Sequence, residues 1–253
     1  MAIPATGAVS LQDIEDEFGG TGEVSLSEYY RGNTYEASVS GNNTGIPQSG
    51  TIKFSQFRGS ELKRYIQYKV LGAGGGGGGG FEDRGYDAGT FGVGGGSSTL
   101  SASGFTTVTA GGGVGGQSGI LTWPPDQTIV AGGNADIAAG YTQDFGESGG
   151  PTGQLANGAP GTGSGAGGSG GGCDDPGTYD NSGGAGAGGS AGTEVGGNAY
   201  FSIGAVLTYT IGAGGAGYAH TTAGAAGRPG YVVLISNGTE VVASDTSSTY
   251  TVV

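Results

Sequence analysis

Few residues of this chain have side chains that could carry catalysis or bind a metal. The only cysteine lies in Cys173-Asp174-Asp175, and the only histidine, His220, lies far from it in the sequence. A metal site or an activated nucleophile needs several such groups close together. We therefore predict no metal, no cofactor and no catalytic residue, and we interpret the cysteine as part of a loop turn.

Acidic residues and glycine runs leave two enzymatic hypotheses to consider. Hydrolysis of a glycoside needs only two facing carboxylates, so a depolymerase stays formally possible. The acidic residues concerned are Asp126, Asp136, Asp144, Glu147, Asp174, Asp175 and Asp180. A phosphate-binding loop needs a lysine followed by Ser or Thr after its glycines, and no lysine follows Lys69. Because carboxylate pairs are common, we predict a protein that is not an enzyme.

Aromatic side chains between the glycine runs are the sharper indication of function. They stand among Asp, Gln, Asn and Thr, a mixture suited to stacking on sugars or to anchoring protein contacts. The candidate receptor-binding residues are Phe81, Tyr86, Phe91, Tyr141, Phe145 and Tyr179. The alternative is that such rings fill gaps that glycine leaves in a thin core. We favour that packing role for Trp123 and for the pair Tyr200-Phe201.

The scaffold that must position these rings is mostly glycine. Between Ala73 and Gly230 lie 53 of the 64 glycines, without a Gly-X-Y register and with few prolines, which excludes collagen. Glycine adds no apolar side chain and loses much backbone entropy on folding. The tract is therefore either a flexible linker or a set of packed polyglycine II helices, in which each N–H must bond to a neighbouring helix.

Sequences typical of β-strands bracket this tract at both ends. Arg64 to Leu71 runs directly into glycines, and so does Val206 to Ile211. Tyr231 to Ile235 follows the last glycines, and Asn237-Gly238 indicates a hairpin turn after it. Because linkers do not normally begin and end inside a sheet, we predict a β-framed polyglycine II sandwich.

The first sixty residues carry an internal repeat. Residues 7–14, 22–29 and 50–57 each begin with glycine and place apolar residues at the third, fifth and eighth positions. Two apolar residues separated by one polar residue suit a short strand, and the following step of three suits a single helical turn. Serine followed three residues later by Asp or Glu predicts a capping box in the first two units; the third unit, with Lys53 and Gln56 there, is predicted to lack it.

These features divide the chain into two predicted domains, 1–60 and 61–253, in a fold that is mostly β and irregular. Each repeat unit is too small to fold alone, so we interpret residues 1–60 as a compact module that docks onto a partner. The predicted docking residues are Leu11, Ile14, Leu26, Tyr29, Tyr30, Phe54 and Phe57. The alternative is a small domain without a docking role.

The net charge bears on the class of partner, and the N-terminal sequence bears on where the chain is made. The formal net charge is -13, and after Arg84 the only basic residue other than His220 is Arg228. Nucleic-acid binding needs a basic surface, so we predict no nucleic-acid partner. Met1 to Ile14 shows no signal-peptide pattern and no transmembrane segment is visible, so we expect synthesis and assembly in a cytoplasm.

Two separate features resemble tail-fibre or adhesin proteins of tailed bacteriophages. The Ile-Pro-x-[Ser/Thr]-Gly units, with the run Ser25 to Gly32, resemble a short module common in phage virion proteins. The glycine tract resembles the glycine-rich domain of phage adhesins. Three stretches carry this resemblance: Val70-Leu71-Gly72-Ala73-Gly74, Tyr209 to Gly217, and Gly227 to Val233. In adhesins of that sort, polyglycine II helices form a sandwich, and the loops between glycine runs touch the host receptor.

The resemblance implies a location and partners. It implies a component of the virion tail, assembled in the host cytoplasm as a homo-oligomer, whose residues 1–60 dock onto other tail or baseplate proteins. The loops would bind a host surface glycan or an outer-membrane protein. A purely structural baseplate or tail-fibre connector is the alternative function.

Overall fold

The computed structural model describes residues 2–20, 23–33, 35, 43–79, 91–116, 164–168, 189–218 and 223–253. The chain forms two compact units. The first unit comprises Met1–Ile66, Ala199–Ala205 and Thr251–Val253, and the second comprises Gln67–Asn198 and Val206–Tyr250. The described chain is mostly β, as predicted. No helix in these ranges is long and apolar enough to span a membrane.

One α-helix and two one-turn 3₁₀ helices precede the strands. Helix α1 is Leu11–Phe18, and the 3₁₀ helices are Leu26–Tyr29 and Phe54–Phe57. The strands are β1 (Lys63–Leu71), β2 (Ser98–Ala102), β3 (Phe105–Ala110), β4 (Glu194–Ser202), β5 (Val206–Thr210), β6 (Tyr231–Ser236), β7 (Thr239–Ser244) and β8 (Ser248–Thr251).

Each helix of the first unit starts at the place where a repeat unit predicts a helical turn. The Ser10 N–H donates to Asp13 Oδ2 at 2.7 Å, and the Asp13 N–H donates back to Ser10 Oγ at 3.2 Å. The third unit was predicted to lack a capping box, and this was wrong for one of the two hydrogen bonds of such a box. There the Lys53 N–H donates to Gln56 Oε1 at 2.6 Å, because a glutamine amide oxygen accepts as a carboxylate does.

The eighth position of every repeat unit lies in the core of the first unit. Ile14, Tyr29 and Phe57 are each completely buried. The Phe57 ring meets the Tyr29 ring edge-on, with their centroids 6.4 Å apart. Phe18, Ile3 and Ile46 complete this core. Three short repeats thus share one hydrophobic core that none of them could build alone.

Backbone hydrogen bonds link the end of one repeat unit to the start of another. The Arg31 N–H, just after the second unit, donates to the Pro47 carbonyl, just before the third, at 3.0 Å. The Gly59 N–H, just after the third unit, donates to the Ile3 carbonyl, just before the first, at 3.0 Å. The Ile-Pro dipeptide therefore receives the end of another unit in both cases.

The strands form two four-stranded sheets with the orders β4-β1-β6-β7 and β3-β2-β5-β8. β2 pairs antiparallel with β3 and with β5, and β6 pairs antiparallel with β7. The predicted hairpin turn joins β6 and β7, where Asn237 (φ 49) and Gly238 (φ 80) both adopt left-handed backbone. Asparagine and glycine are the residues that this turn favours.

Six strands continue directly into glycine-rich segments without regular sheet structure. Residues 72–77 follow β1, 111–116 follow β3 and 211–218 follow β5, while residues 91–97, 189–193 and 224–230 precede β2, β4 and β6. Residues 164–168 form a seventh segment, which no described strand extends. We call these seven segments the glycine bundle.

Segment 72–77 lies at the centre of the glycine bundle. Its successive N–H groups donate in a three-residue cycle to segments 189–193, 91–97 and 224–230, with N···O distances between 2.8 and 3.0 Å. Its carbonyl oxygens accept N–H groups from the three other segments, 111–116, 164–168 and 211–218. Among the described residues, one backbone segment therefore bonds to six neighbours.

The six outer segments also bond to one another in a closed ring. Around the centre the order is 91–97, 111–116, 189–193, 164–168, 224–230 and 211–218. Strands with side chains bond only within their own sheet, because packed sheets stand about 10 Å apart. Once the side chains are absent, segments that continue two different sheets approach closely enough to bond across that gap.

Only glycine fits at the positions where these segments face each other. A Cβ added at Gly72, Gly75 or Gly76 would lie between 1.9 and 2.1 Å from a backbone oxygen of another segment. The larger residues of the bundle point outward instead, and Val93 and Val114 are 57% and 74% exposed. The glycine content is thus a packing requirement of these segments.

Candidate docking surface and receptor-binding end

The seven predicted docking residues occupy two different environments. Ile14, Tyr29 and Phe57 are fully buried inside the first unit. Leu11, Leu26 and Tyr30 are half-buried, and Phe54 is 41% exposed. Only these last four offer side-chain surface to a partner, while the buried three hold the unit together.

Tyr29 illustrates the structural role of the buried positions. Its hydroxyl donates to the Gly19 carbonyl at 2.8 Å, and its ring stacks on Tyr35 with centroids 5.1 Å apart. Burial raises the pKa of the Tyr29 hydroxyl, and nearby Glu15, Tyr35 and Glu28 raise it further. The neutral, hydrogen-bonded phenol is therefore the form that this core holds.

A repeated apolar surface remains accessible on the first unit. The third and fifth positions of all three repeat units keep part of their side chains exposed. We call these residues the docking surface: Val9, Leu11, Val24, Leu26, Ile52 and Phe54. All except Phe54 also pack against the core, so the core fixes their positions. An ordered apolar surface of this kind suits protein contact.

A polar cluster around Glu61 is a feature that the sequence did not indicate. Glu61 Oε2 accepts from the Ser202 hydroxyl at 2.9 Å, and Glu61 Oε1 lies 2.9 Å from Lys63 Nζ. The Asn43 side chain bonds both the N–H and the carbonyl of Glu61. Burial alone would raise the pKa of the Glu61 carboxyl, but the bonds from Lys63 and Ser202 outweigh it and lower that pKa.

We expect this cluster to stabilise the fold at neutral pH and not in acid. Because the folded-state pKa of Glu61 lies below its unfolded value, its contribution is present above the unfolded pKa and is lost as the pH falls through the folded pKa. Glu61→Gln should therefore lower the melting temperature at pH 7 by more than at pH 3. Calorimetry of both chains across that range measures the difference, and an equal loss at both pH values would contradict the role of the charge.

One end of the glycine bundle lies at the level of residues 75–77. The N–H groups of Gly168, Gly116 and Tyr218 donate to the carbonyls of Gly75, Gly76 and Gly77 at 2.9, 2.8 and 3.0 Å. Gly92 bonds to Gly116, Gly189 to Gly168 and Gly224 to Tyr218, each at 2.8 Å. The chain therefore leaves the bundle at this level after segments 72–77, 111–116, 164–168 and 211–218, and re-enters it at this level at segments 91–97, 189–193 and 224–230. We call this the loop end. Segment 164–168 begins at the opposite end, where a Cβ at Gly165 would meet Gly72 and Leu71.

In the sequence, the predicted receptor-binding residues stand between the segments of the bundle or at the start of one. Phe91 is described, lies at the loop end next to Gly92, and is 62% exposed. The others fall outside the described residues: Phe81, Tyr86, Tyr141, Phe145 and Tyr179. For Phe91, exposure favours a contact role over the alternative of filling a gap in the core.

Three further exposed side chains at or near the loop end escaped the sequence analysis. Tyr218 is 36% exposed, and Val93 and Val114 are more exposed still. The Val93 N–H bonds to the Ala216 carbonyl, which places these segments side by side. A detectable signal existed: a residue larger than alanine within a glycine run is expected to point outward, because most inward positions admit no Cβ.

The described residues hold no constellation typical of metal binding. Among them, no three His, Cys, Asp or Glu side chains group in a way that could hold a metal ion. The residues considered for chemistry in the sequence, Cys173, His220 and the carboxylates from Asp126 to Asp180, fall outside the described residues.

Comparison of the chain with protein-family models, with curated proteins and with solved structures finds no match.

Proposed function

We propose that this chain is a tail-fibre or adhesin component of a tailed-bacteriophage virion, and that it binds the host surface through the connections at the loop end. The observation that carries the proposal is the hydrogen-bond register by which the chain leaves and re-enters the glycine bundle at the loop end, apart from the start of segment 164–168. Binding residues commonly stand on loops that a rigid scaffold positions.

The scaffold in this proposal is a sandwich of polyglycine II helices. The three-residue cycle of donors along segment 72–77 supports it, since polyglycine II has three residues per turn. So does the near-contact of backbone on backbone at most of the described glycines of the bundle. Such a bundle resists bending because each segment is tied to several others, and it therefore suits the tip of a fibre.

Residues 1–60 dock onto another tail or baseplate protein in this proposal. The docking surface supports it, because it presents apolar side chains held in place by a core. A homo-oligomer in the virion would multiply weak receptor contacts into avidity. The receptor is a host surface glycan or an outer-membrane protein, and nucleic acid is not a partner, since the net charge of -13 would repel it.

The test is binding of the purified full chain, displayed in many copies on fluorescent beads, to a panel of bacterial strains. We expect saturable binding to at least one strain. A variant with Phe81, Tyr86 and Phe91 all changed to Ala should bind that strain at least tenfold more weakly. Phe54→Ala removes an exposed ring from the docking surface instead and should bind the strain as the parent chain does.

A rigid connector is the competing function, and the same measurement separates the two. A connector predicts no saturable binding to any strain, with or without surface polysaccharide, and that result would overturn the adhesin proposal. Equal losses in the triple variant and in Phe54→Ala would also count against it, because the contact would then not reside at the loop end.

A further inference from the structure

The two sheets have four edge strands, and three of them carry features that discourage pairing with another strand. The orders of the two described sheets place β4 and β7 at the edges of one and β3 and β8 at the edges of the other. β4 contains Glu194 and two glycines, β7 contains Glu240, and β8 is only four residues long. Charge, glycine and short length all protect an edge.

β3 is the edge strand without such protection. It is six residues long and contains no charged residue, no proline and no glycine. Four of its residues, Thr106 to Thr109, are β-branched, and the side chains of Thr106, Thr107 and Thr109 are exposed. Its inner side pairs with β2 from Ser98↔Ala110 to Ala102↔Phe105. No described strand pairs with its outer side.

Charge favours a second copy of this chain as the partner of β3. None of the four strands of the sheet β3-β2-β5-β8 contains Asp, Glu, Lys or Arg. The chain as a whole carries a net charge of -13, so two copies repel each other on net. A neutral strand edge is a place where two such copies can approach with little of that repulsion.

We propose that two copies of this chain pair antiparallel through β3, so that the sheet β3-β2-β5-β8 continues across a two-fold axis. Along Thr106 to Thr109, the outward-facing backbone N–H and carbonyl groups of each copy then bond to the other, and threonine side chains meet across the axis, which is a favourable cross-strand pair. A two-fold contact of this kind uses the same surface on both copies and closes with two of them. The inference names the contact behind the proposed homo-oligomer and does not depend on receptor binding.

Sedimentation of the full chain over a range of concentrations tests the pairing. We expect a monomer–dimer equilibrium. With the two-fold axis placed at the middle of β3, Thr107→Lys brings two positive charges close together across the axis and should weaken the dimer at least tenfold. Thr239→Lys makes the same change at the exposed edge strand β7 and should leave the dimer intact.

Each possible result either supports or overturns the pairing of two copies through β3. A chain that stays monomeric at every concentration overturns the proposal, and so does a trimer, because an antiparallel strand pair cannot close with three copies. A dimer that persists in Thr107→Lys, or one lost equally in Thr239→Lys, also overturns it. Should Thr107→Lys fail to fold, a Cys173→Ser chain carrying Thr107→Cys replaces it: rapid oxidation to a covalent dimer supports the contact, and its absence overturns the contact.

Discussion

Gly112→Ala is expected to destabilise the fold by about 3 kcal/mol or more, whereas Gly111→Ala at the preceding residue should be neutral or slightly stabilising. A Cβ at residue 112 would lie 1.9 Å from the Gly95 carbonyl oxygen, which belongs to the backbone of another segment and cannot rotate away. The same atom at residue 111 meets nothing closer than Thr193 Oγ1, at 3.5 Å.

The loss of stability expected for Gly112→Ala arises because segments 91–97 and 111–116 are hydrogen-bonded close to residue 112. The Gly95 N–H donates to the Gly113 carbonyl at 2.8 Å, and the Gly113 N–H donates to Ala73 in the centre at 2.7 Å. Separating the segments to admit a methyl group would strain or break both bonds, and unmade buried backbone bonds are expensive. At residue 111 alanine only restricts the unfolded chain, which favours folding by up to about 1 kcal/mol.

Calorimetric melting of the parent chain and the two variants measures this difference. The pair is closely matched, since both changes add one methyl group to adjacent glycines with negative φ in the same segment. Equal melting temperatures for the two variants would mean that the segments do not pack as closely as their hydrogen bonds require.

The strands that flank the glycine tract in the second unit could be predicted from the sequence. The strands before and after the glycine tract were expected from their alternating and β-branched residues, and β1, β5 and β6 lie where they were expected. The hairpin at Asn237-Gly238 was expected from turn chemistry. β2 was not predicted, because its sequence Ser-Thr-Leu-Ser-Ala has little β-propensity, and its pairing with β3 and β5 supplies what the local sequence lacks.

The arrangement of the glycine segments could not be predicted from local sequence. Segments 72–77 and 211–218 are both rich in glycine, yet one lies at the centre and the other in the ring. What decides the position is the order of the attached strands: β4-β1-β6 in one sheet continues into three bonded segments, and β3-β2-β5 does the same in the other. The order of the strands in each sheet thus determines which glycine segments lie next to each other, and amino-acid composition does not reveal that order.

The repeat in the first unit predicted its helices, but it did not separate core from surface. The fifth and eighth positions look alike in sequence, and Phe54 and Phe57 are the same residue. In the structure one is 41% exposed and the other fully buried. Residues three apart in a 3₁₀ helix lie on the same face, so the local geometry does not separate Phe54 from Phe57, and packing against the other repeat units decides which of them is buried. The four accessible predicted docking residues became distinct from the three buried ones only through that packing.

Phe57→Ala and Phe54→Ala separate stability from docking at these two positions. Phe57 is fully buried and meets the Phe18 and Tyr29 rings at centroid distances of 6.2 and 6.4 Å. Its truncation leaves a cavity in a small core, and we expect a loss of about 3–5 kcal/mol. Phe54→Ala removes a ring that is 41% exposed and should cost less than about 1 kcal/mol.

Trypsin provides a measurement confined largely to the first unit of the intact chain. Seven of the eight Lys and Arg residues lie at or before Arg84, so cleavage at Arg31, Lys53 or Arg58 reports opening of that unit. Cleavage under native conditions follows the population of the open state. Phe57→Ala should be cut at least a hundredfold faster than the parent chain, and Phe54→Ala at nearly the parent rate. If Phe54→Ala were cut as fast as Phe57→Ala, the Phe54 ring would belong to the core and could not serve the docking surface.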